Sequence, residues 1–339
     1  MAVEAGLAGS LNRTKFDVRK MAGWTLGIGI WIVPLLWIDL TTYLTLTIAG
    51  LTMGVLLFLT ASGLTVIFGL MDVLNLAHGA FFAWGAYAGF SLLNILDKKG
   101  WLDLATLAQS VGSLALVLVF SLIVGGLLGI ILEKIIIRKT YGNHLKQILI
   151  TMGAALVMSE IIKIFWGPND EALKVPAAFP DSWDFFNIIV TKFRGVAIIV
   201  GGIFFAAIQL VLRKTKLGII VRAGVENKEI VQVMGYNIQR IFMGVFAAGA
   251  ALAAMGGAMF SIFNGHVYPG MGDENLIFAL IVVIIGGMGS ITGSFLGAIM
   301  VGLAFNYVAF LVPKLALGVN ILIMAIILLI RPTGLMGRD

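Results

Sequence analysis

Long apolar runs dominate this chain and restrict it to folds that use a lipid bilayer as their solvent. The 339 residues are 60% hydrophobic and 12% charged, whereas soluble domains average about 25% charged residues. A run of about 18 apolar residues matches the hydrocarbon core of a bilayer. We therefore expect a protein that crosses the membrane or acts within it.

About ten segments qualify as candidate spans, which leaves no room for a soluble catalytic domain. They are roughly 22–38, 46–69, 78–96, 105–132, 146–165, 195–212, 240–263, 276–290, 294–312 and 315–330. Backbone groups in lipid must bond internally, and the alternating pattern of barrel strands is absent. The prediction is an all-α, polytopic membrane helix bundle with about 8–10 transmembrane helices, forming a single domain over residues 22–338. The pairs 46–69/78–96 and 276–290/294–312 are the candidates for partly re-entrant segments.

Basic residues cluster in segments that flank the spans. The N-terminal stretch 1–21 and the segments 133–146 and 213–240 are basic, and all three fall on one side if ten helices alternate. The positive-inside rule assigns that side to the cytoplasm. Residues 1–21 then form a cytoplasmic extension, both termini are cytoplasmic, and the net acidic segment 167–191 lies outside. The same rule accounts for the net charge of +6 without a nucleic-acid partner.

Several kinds of chemistry are excluded by residue type and spacing. There is no cysteine, and the three histidines are far apart without metal-ligand spacing. No P-loop and no nucleophile elbow occur, so we expect no catalytic residues, no metal and no cofactor in this chain. Glu160 is the clearest acidic residue inside a span, and Lys163 can pair with it at i,i+3. So few buried carboxylates argue against a proton-coupled carrier and favour a passive or externally powered one.

Glycine is abundant, with 42 residues, many at small-xxx-small spacing. Such spacing lets helix backbones approach closely. The late glycine-rich stretch is assigned to helix packing through Gly286, Gly287, Gly289, Gly293 and Gly297. The functional alternative is a pore lined by tight, mobile helices.

Polar residues interrupt the apolar segment 63–87. Asp72, Asn75 and His78 lie at a break, where polar groups can line a water-filled path that lipid would not tolerate. The alternative is an ordinary turn in which Asn75 or His78 caps the next helix. The candidates for the translocation pathway or its gate are Asn75, His78, Asn264 and Asn306.

The longest cytoplasmic loop, 213–240, is predicted to contain a short amphipathic helix. Its apolar side carries Val233 and Met234, and Gly235 is a reasonable C-cap. A helix with an apolar stripe outside the membrane needs a partner. Either it lies on lipid headgroups or it docks a cytoplasmic motor. The candidate coupling residues are Arg222, Glu226, Asn227, Glu229 and Gly235.

These segments together resemble the permease family of bacterial high-affinity branched-chain amino-acid ABC importers. The resemblance is carried by Gly63-Leu-Thr-Val-Ile-Phe-Gly69, Val73-Leu-Asn-Leu-Ala-His-Gly79, Arg222-Ala223 with Asn227 and Gly235, Ile284-Ile-Gly-Gly-Met-Gly-Ser-Ile-Thr-Gly293 and Arg331-Pro-Thr-Gly-Leu335. It covers about residues 45–336, with the motifs in the family's order.

The resemblance implies a bundle of the ABC importer type, with a central pathway between two permeases in the bacterial inner membrane. It implies as partners a homologous second permease or a second copy, two cytoplasmic ATPase subunits that carry ATP and Mg²⁺, and a periplasmic solute-binding protein. Branched-chain amino acids are the implied solute. Urea or short-chain amides are the alternative, because related permeases carry similar motifs.

Two other functions are compatible with a membrane bundle. A stand-alone channel or facilitator would explain the glycine-rich helices but leaves the loop 213–240 without a purpose. A membrane-embedded transferase would need clustered acidic or histidine residues near the interface, and no such cluster is found in the sequence.

Overall fold

The computed structural model describes residues 25, 27–103, 106–185, 188–226 and 228–337. The predicted extension 1–21 lies outside these residues. The α-helices are α1 (Leu40–Met71), α2 (His78–Lys98), α3 (Leu107–Ile135), α4 (His144–Trp166), α5 (Lys192–Lys214), α6 (Lys216–Glu226), α7 (Lys228–Val233), α8 (Ile238–Asn264), α9 (Met271–Gly286), α10 (Ile291–Leu311) and α11 (Ala316–Ile330). The short strands are β1 (Glu171–Ala172), β2 (Ser182–Phe185), β3 (Ile188–Thr191) and β4 (His266–Val267), which pair as β1–β4 and β2–β3, both antiparallel.

Eight helices of the described chain are long and apolar enough to cross a membrane, and the last of them is α11 together with the 3-10 turn before it, Pro313–Ile330. This confirms the predicted all-α, polytopic bundle. Two of the ten predicted spans are not among these eight helices. In place of 22–38 the structure has the short apolar helix Gly27–Leu36. In place of 276–290 it has α9, whose 16 residues extend about 24 Å, less than the roughly 30 Å of a hydrocarbon core.

Polar side chains fix where several of the long helices begin. Each accepts a hydrogen bond from a backbone N–H of the first turn, which has no partner within the helix. These N-caps are Asp39 for α1, Thr106 for α3, Asn143 for α4, Asn237 for α8 and Ser290 for α10. The apolar runs therefore set the helices, and short polar residues set their starting points.

The helix pairs α1–α2 and α8–α9 are built alike. The C-cap of α1 is Asp72 and the C-cap of α8 is Gly265, both with left-handed backbone (φ 53° and 74°). Connections of equal length then lead to α2 and α9, which begin at His78 and Met271. The two pairs therefore repeat one structural unit.

The second unit is inverted relative to the first. Gly63 packs against Gly249, and Gly256 packs against Thr60, so α1 and α8 run antiparallel. The two units also pack alike on their neighbours, because α1 contacts α10 much as α8 contacts α3. Inverted repeats of this kind are common in membrane transporters, which place their functional sites where the repeats meet.

The two ends of the bundle differ in character. One end brings together Asp72, His144 and the C-terminal tail, since His144 Nε2 lies 3.5 Å from Asp72 Oδ2 and Gly334 packs on Gly287. The basic segments 133–146 and 213–240 lie at this same end. The opposite end is covered by residues 167–191, which are tied to α2 by Lys174, at 2.5 Å from Asp97.

Candidate functional site

A non-helical segment, residues 72–77, runs through the interior of the bundle between α1 and α2. Val73, Asn75 and Ala77 are buried. Backbone groups at membrane depth need partners because lipid offers none. Non-helical backbone is tolerated there only where protein or a cavity surrounds it. The surroundings of residues 72–77 therefore decide whether this break can exist.

Two side chains of α4 supply the missing partners. The N–H of Leu74 donates to Gln147 Oε1 at 3.3 Å, and the N–H of Leu76 donates to Thr151 Oγ1 at 3.1 Å. Both side chains are completely buried. Neither residue was predicted, although two polar residues one helical turn apart in the apolar run 146–165 are a readable signal. Helix α4 thus supplies hydrogen-bond partners that the non-helical segment would otherwise lack.

Asn75 and His78 lie together in this interior rather than on an exposed face. Asn75 Oδ1 accepts from the N–H of Ala77 at 3.1 Å, which makes a local turn. His78 Nε2 lies 2.9 Å from the carbonyl oxygen of Thr60, and because a carbonyl can only accept, Nε2 is the donor. Among the described residues, Asn75 Nδ2 and His78 Nδ1 have no hydrogen-bond partner. Each residue thus combines a structural contact with one polar atom left free.

The other two predicted pathway residues lie elsewhere. Asn264 is exposed at the end of α8, on the side opposite the basic segments. Asn306 lies within α10, where its Nδ2 donates to the carbonyl oxygen of Gly302 at 2.9 Å. The structure therefore does not bring the four residues into one cluster, and only Asn75 and His78 share a place.

The predicted coupling segment forms the helices α6 and α7. Val231 is buried in one apolar cluster with Ile137 and Phe242. Gly235 has a left-handed backbone (φ 86°) just after α7, a conformation that glycine adopts without strain. Asn227 and the side chains of Arg222, Glu226 and Glu229 lie outside the described part of the structure. The segment is therefore anchored to the α3–α4 turn and to α8.

An apolar patch remains exposed at the tip of this segment. The side chains of Val233, Met234 and Tyr236 are 88%, 68% and 42% exposed. The patch lies outside the eight candidate spans, between the end of α7 and the start of α8. Exposed apolar surface of this kind marks a contact site for another protein or for the membrane.

A buried ionic cluster supports the same end of the bundle. The Glu133 side chain is completely buried, accepts from Tyr141 Oη at 3.0 Å and lies 3.7 Å from Arg138 Nε. The Tyr141 ring packs edge-on against Phe242 with centroids 5.8 Å apart. Burial, and next the charge of Glu133, raise the pKa of Tyr141. This cluster was not predicted, since Glu133 looks like the first residue of a polar loop.

The glycines assigned to helix packing lie at close backbone contacts. A Cβ on Gly286 or Gly293 would overlap the other residue's backbone, and one on Gly287 would overlap the C-terminal tail. Gly289 packs on Gly69, and Gly297 faces Ile285 and Val282. The contacts of Gly286, Gly293 and Gly297 join α9 to α10, and those of Gly287 and Gly289 pack the turn between the two helices on the C-terminal tail and on α1.

The predicted pair in α4 is confirmed. Lys163 Nζ donates to Glu160 Oε1 at 2.6 Å, and both side chains are substantially exposed. An exposed i,i+3 pair of this kind adds little stability. It leaves no isolated carboxylate inside this helix to carry a proton.

Spanning helices, a break supported inside the bundle and an anchored helix pair beyond its end define a multi-pass membrane protein of the transport class. Residues 46–330 match the family described as branched-chain amino acid transport system / permease component, and the chain belongs to that family. This confirms the resemblance noted from the motifs.

Similar proteins cover most of the chain. The high-affinity branched-chain amino acid transport system permease protein LivH of Escherichia coli is 26% identical over 85% of this chain and 94% of its own length. The corresponding protein BraD of Pseudomonas aeruginosa is 28% identical over 87% of this chain and 96% of its own. The permease protein LivM of Escherichia coli is 27% identical over 88% of this chain and 72% of its own. No solved structure matches the chain.

Proposed function

We propose that this chain is the membrane-spanning permease subunit of an ATP-driven ABC importer and forms the translocation pathway for branched-chain amino acids. The names of the relatives support the solute. The structural observation that carries the proposal is the apolar patch of Val233, Met234 and Tyr236 on an anchored helix pair. A channel that worked alone would have no need of such a contact surface.

A permease subunit of this kind needs several partner proteins. Two cytoplasmic ATPase subunits bind at α6–α7 and carry ATP and Mg²⁺, so the permease itself has no enzymatic activity. A homologous second permease completes the pathway, and similarity to both LivH and LivM supports such a pair. A periplasmic binding protein docks at the opposite end. The basic segments favour an inner-membrane protein with both termini in the cytoplasm.

Movement passes from the ATPases to the bundle through packed side chains. Val231 of α7 contacts the cluster that contains Ile238 and Phe242 of α8. Helix α8 in turn packs against α1, α2 and α3. A rigid-body tilt of α6–α7 therefore moves α8 relative to the break at residues 72–77. Because α8 touches α2 along its length, the tilt reaches the starting point of α2 at His78.

Asn75 and His78 are assigned to the gate of the pathway. Their free atoms, Asn75 Nδ2 and His78 Nδ1, are buried polar groups that become satisfied when water or solute enters. Replacing both residues by Ala is expected to slow uptake in a variant that is still folded and assembled. Normal uptake by a well-folded double variant would reject the gate. The two residues would then serve only the local turn and the Thr60 contact.

Co-purification and reconstituted uptake test the whole proposal. The tagged chain is expected to bring down a P-loop ATPase and a second permease from membranes. Val233→Asp with Met234→Asp should abolish ATPase association, because the charges prevent burial of the patch. The control is Met288→Asp, an exposed methionine at the same end but outside the patch.

Uptake by the reconstituted assembly identifies the solute. Labelled leucine, isoleucine and valine should enter liposomes only with ATP and the binding protein. Uptake of urea or a short amide in their place would reject the amino-acid assignment. Transport by the chain alone, without ATPase, would reject the importer and support a facilitator.

A further inference from the structure

A groove at the basic end of the bundle lies between α5 and the start of α10. It encloses about 390 Å³ and is lined by Phe205, Gln209, Leu210, Arg213, Lys214 and Thr292. A second cavity of about 300 Å³ continues it, sharing Gln209, Arg213 and Thr292. This space, called here the α5–α10 groove, has no part in the coupling path described above.

The groove is apolar at one end and basic at the other. Phe205, Gln209 and Arg213 follow each other at intervals of four residues, so they share one face of α5. Phe205 lies about 12 Å deeper in the span than Arg213. Its ring is held firmly, since it stacks on Phe295 with centroids 4.3 Å apart. The groove therefore offers an occupant a rigid apolar wall deep in the span and positive charge at the basic end.

The cations of the groove have no acidic partner in the described part of the chain. The ion pairs found there involve other residues, and both Arg213 and Lys214 are exposed. Arg213 instead lies 3.5 Å from Thr292 Oγ1, which also accepts from Gln209 Nε2. Two uncompensated positive charges beside fixed hydroxyl and amide groups favour an anionic ligand with several acceptor oxygens.

The position of the groove identifies the source of that anion. Helix α5 has the smallest buried share of the eight candidate spans, 11% over its apolar window. Ile203, Leu210 and Val211 are exposed along it. The groove therefore opens sideways to the bilayer at the level where headgroups begin. Basic pockets between helices on the cytoplasmic side are binding sites for anionic lipid headgroups.

We propose that the α5–α10 groove binds an anionic phospholipid of the inner leaflet, with its phosphate at Arg213, Lys214 and Thr292 and an acyl chain along Phe205 and Leu210. The inference is independent of the transported solute and of the ATPase. It assigns a role to basic residues that the positive-inside rule alone treats as interchangeable.

Native mass spectrometry of the purified full-length chain tests the proposal. The probes are phosphatidylglycerol and phosphatidylethanolamine with identical acyl chains, added at equal concentration. The wild-type chain should retain phosphatidylglycerol in preference. Arg213→Gln with Lys214→Gln should lower that preference at least about fivefold, since each basic residue near an anionic surface contributes to binding. Equal retention of both lipids by the wild type would overturn the proposal.

Three further variants separate charge, shape and fold. Lys134→Gln removes an exposed cation at the same end of lipid-facing α3 and should leave the preference unchanged. Arg213→Lys keeps the charge and should keep most of the preference. Leu210→Trp fills the apolar wall without changing charge and should displace the lipid. Retention by the charge variant equal to that of the wild type would overturn the assignment to these residues.

Free phosphate is the competing source of the same chemistry. Inorganic phosphate at millimolar concentration should not displace phosphatidylglycerol, because the apolar walls hold the acyl chain. Displacement by phosphate alone would overturn the lipid assignment. Size-exclusion profiles that match the wild type establish that each variant is folded.

Discussion

Gly79 and Gly272 pack backbone against backbone at the first turns of α2 and α9. A Cβ on either residue would overlap the carbonyl oxygen of the other. The two residues hold equivalent positions in the inverted units, one place after the helix starts at His78 and Met271. Their contact therefore lies where the two inverted units meet. It is beside the buried break that we assign to the gate.

Replacing either glycine of this contact by alanine should destabilise the protein. Overpacking of a close contact costs about 1–3 kcal/mol, because neither backbone can retreat within the bundle. Thermal unfolding of Gly79→Ala and Gly272→Ala in detergent measures the loss. The control is Gly153→Ala in α4, where a Cβ meets nothing within 4 Å. A melting temperature for Gly79→Ala as high as that of the control would contradict the contact.

Removing the side-chain acceptors of the break should also destabilise the protein. Gln147→Leu leaves the N–H of Leu74 without a partner, and Thr151→Val does the same for Leu76. A buried donor left unpaired costs about 1–3 kcal/mol. Thr151→Ser keeps the hydroxyl and should remain close to wild type. Equal stability of Thr151→Val and Thr151→Ser would show that the hydroxyl is not needed.

Loss of the Tyr141 hydroxyl should weaken the buried ionic cluster. Tyr141→Phe removes the donor to Glu133, so the buried carboxylate loses a partner at a cost of about 1–3 kcal/mol. The matched control is Tyr236→Phe, since Tyr236 is an exposed tyrosine of the same end. Chemical denaturation measures both variants, and an equal effect of the two would refute the role of the hydroxyl.

The same residue predicts a dependence of stability on alkaline pH. Burial, followed by the charge of Glu133, raises the pKa of Tyr141 above its ordinary value, which is about 10. Stability is therefore complete below about pH 10 and falls above it, because the unfolded chain releases its proton first. Melting curves between about pH 9 and 11 should fall less steeply for Tyr141→Phe than for the wild type. Parallel curves would contradict the raised pKa.

The outer segment should loosen when its lysine clamp is removed. Lys174 lies 2.8 Å from Asp103 and 2.5 Å from Asp97, and the hydrogen bonds that it donates to Asp103 and then to Asp97 raise its pKa. Lys174→Met should expose residues 167–191 to limited proteolysis. Lys98→Met, which removes an exposed lysine without an ion pair in the described chain, serves as the control. Identical cleavage rates for the two variants would reject the clamp.

The local sequence pattern was enough to predict the general architecture. Apolar runs are a property of consecutive residues, so the fold class and most of the spans could be predicted, and only 22–38 and 276–290 are not among the eight helices long enough to span a membrane. The Glu160–Lys163 pair was predictable for the same reason, because both partners lie on one helical turn. The family motifs are also short and contiguous, so the resemblance can be recognised from the order of the residues alone.

The arrangement around the break depended on contacts between distant parts of the chain. Leu74 and Leu76 find their partners in α4, some seventy positions away, and Gly79 meets Gly272 across the whole molecule. Glu133 looks exposed in sequence but is enclosed by Tyr141 and Arg138 after folding.

Sequence by itself thus determined which segments enter the membrane, which side is basic and which family the chain belongs to. The tertiary structure alone decided that the chain between α1 and α2 crosses the interior without helical hydrogen bonds, and that two inverted units meet beside it. The physical reason is that hydrophobicity is a property of each residue by itself. In contrast, the satisfaction of a buried N–H, and the closeness of two backbones, depend on partners that only folding brings together.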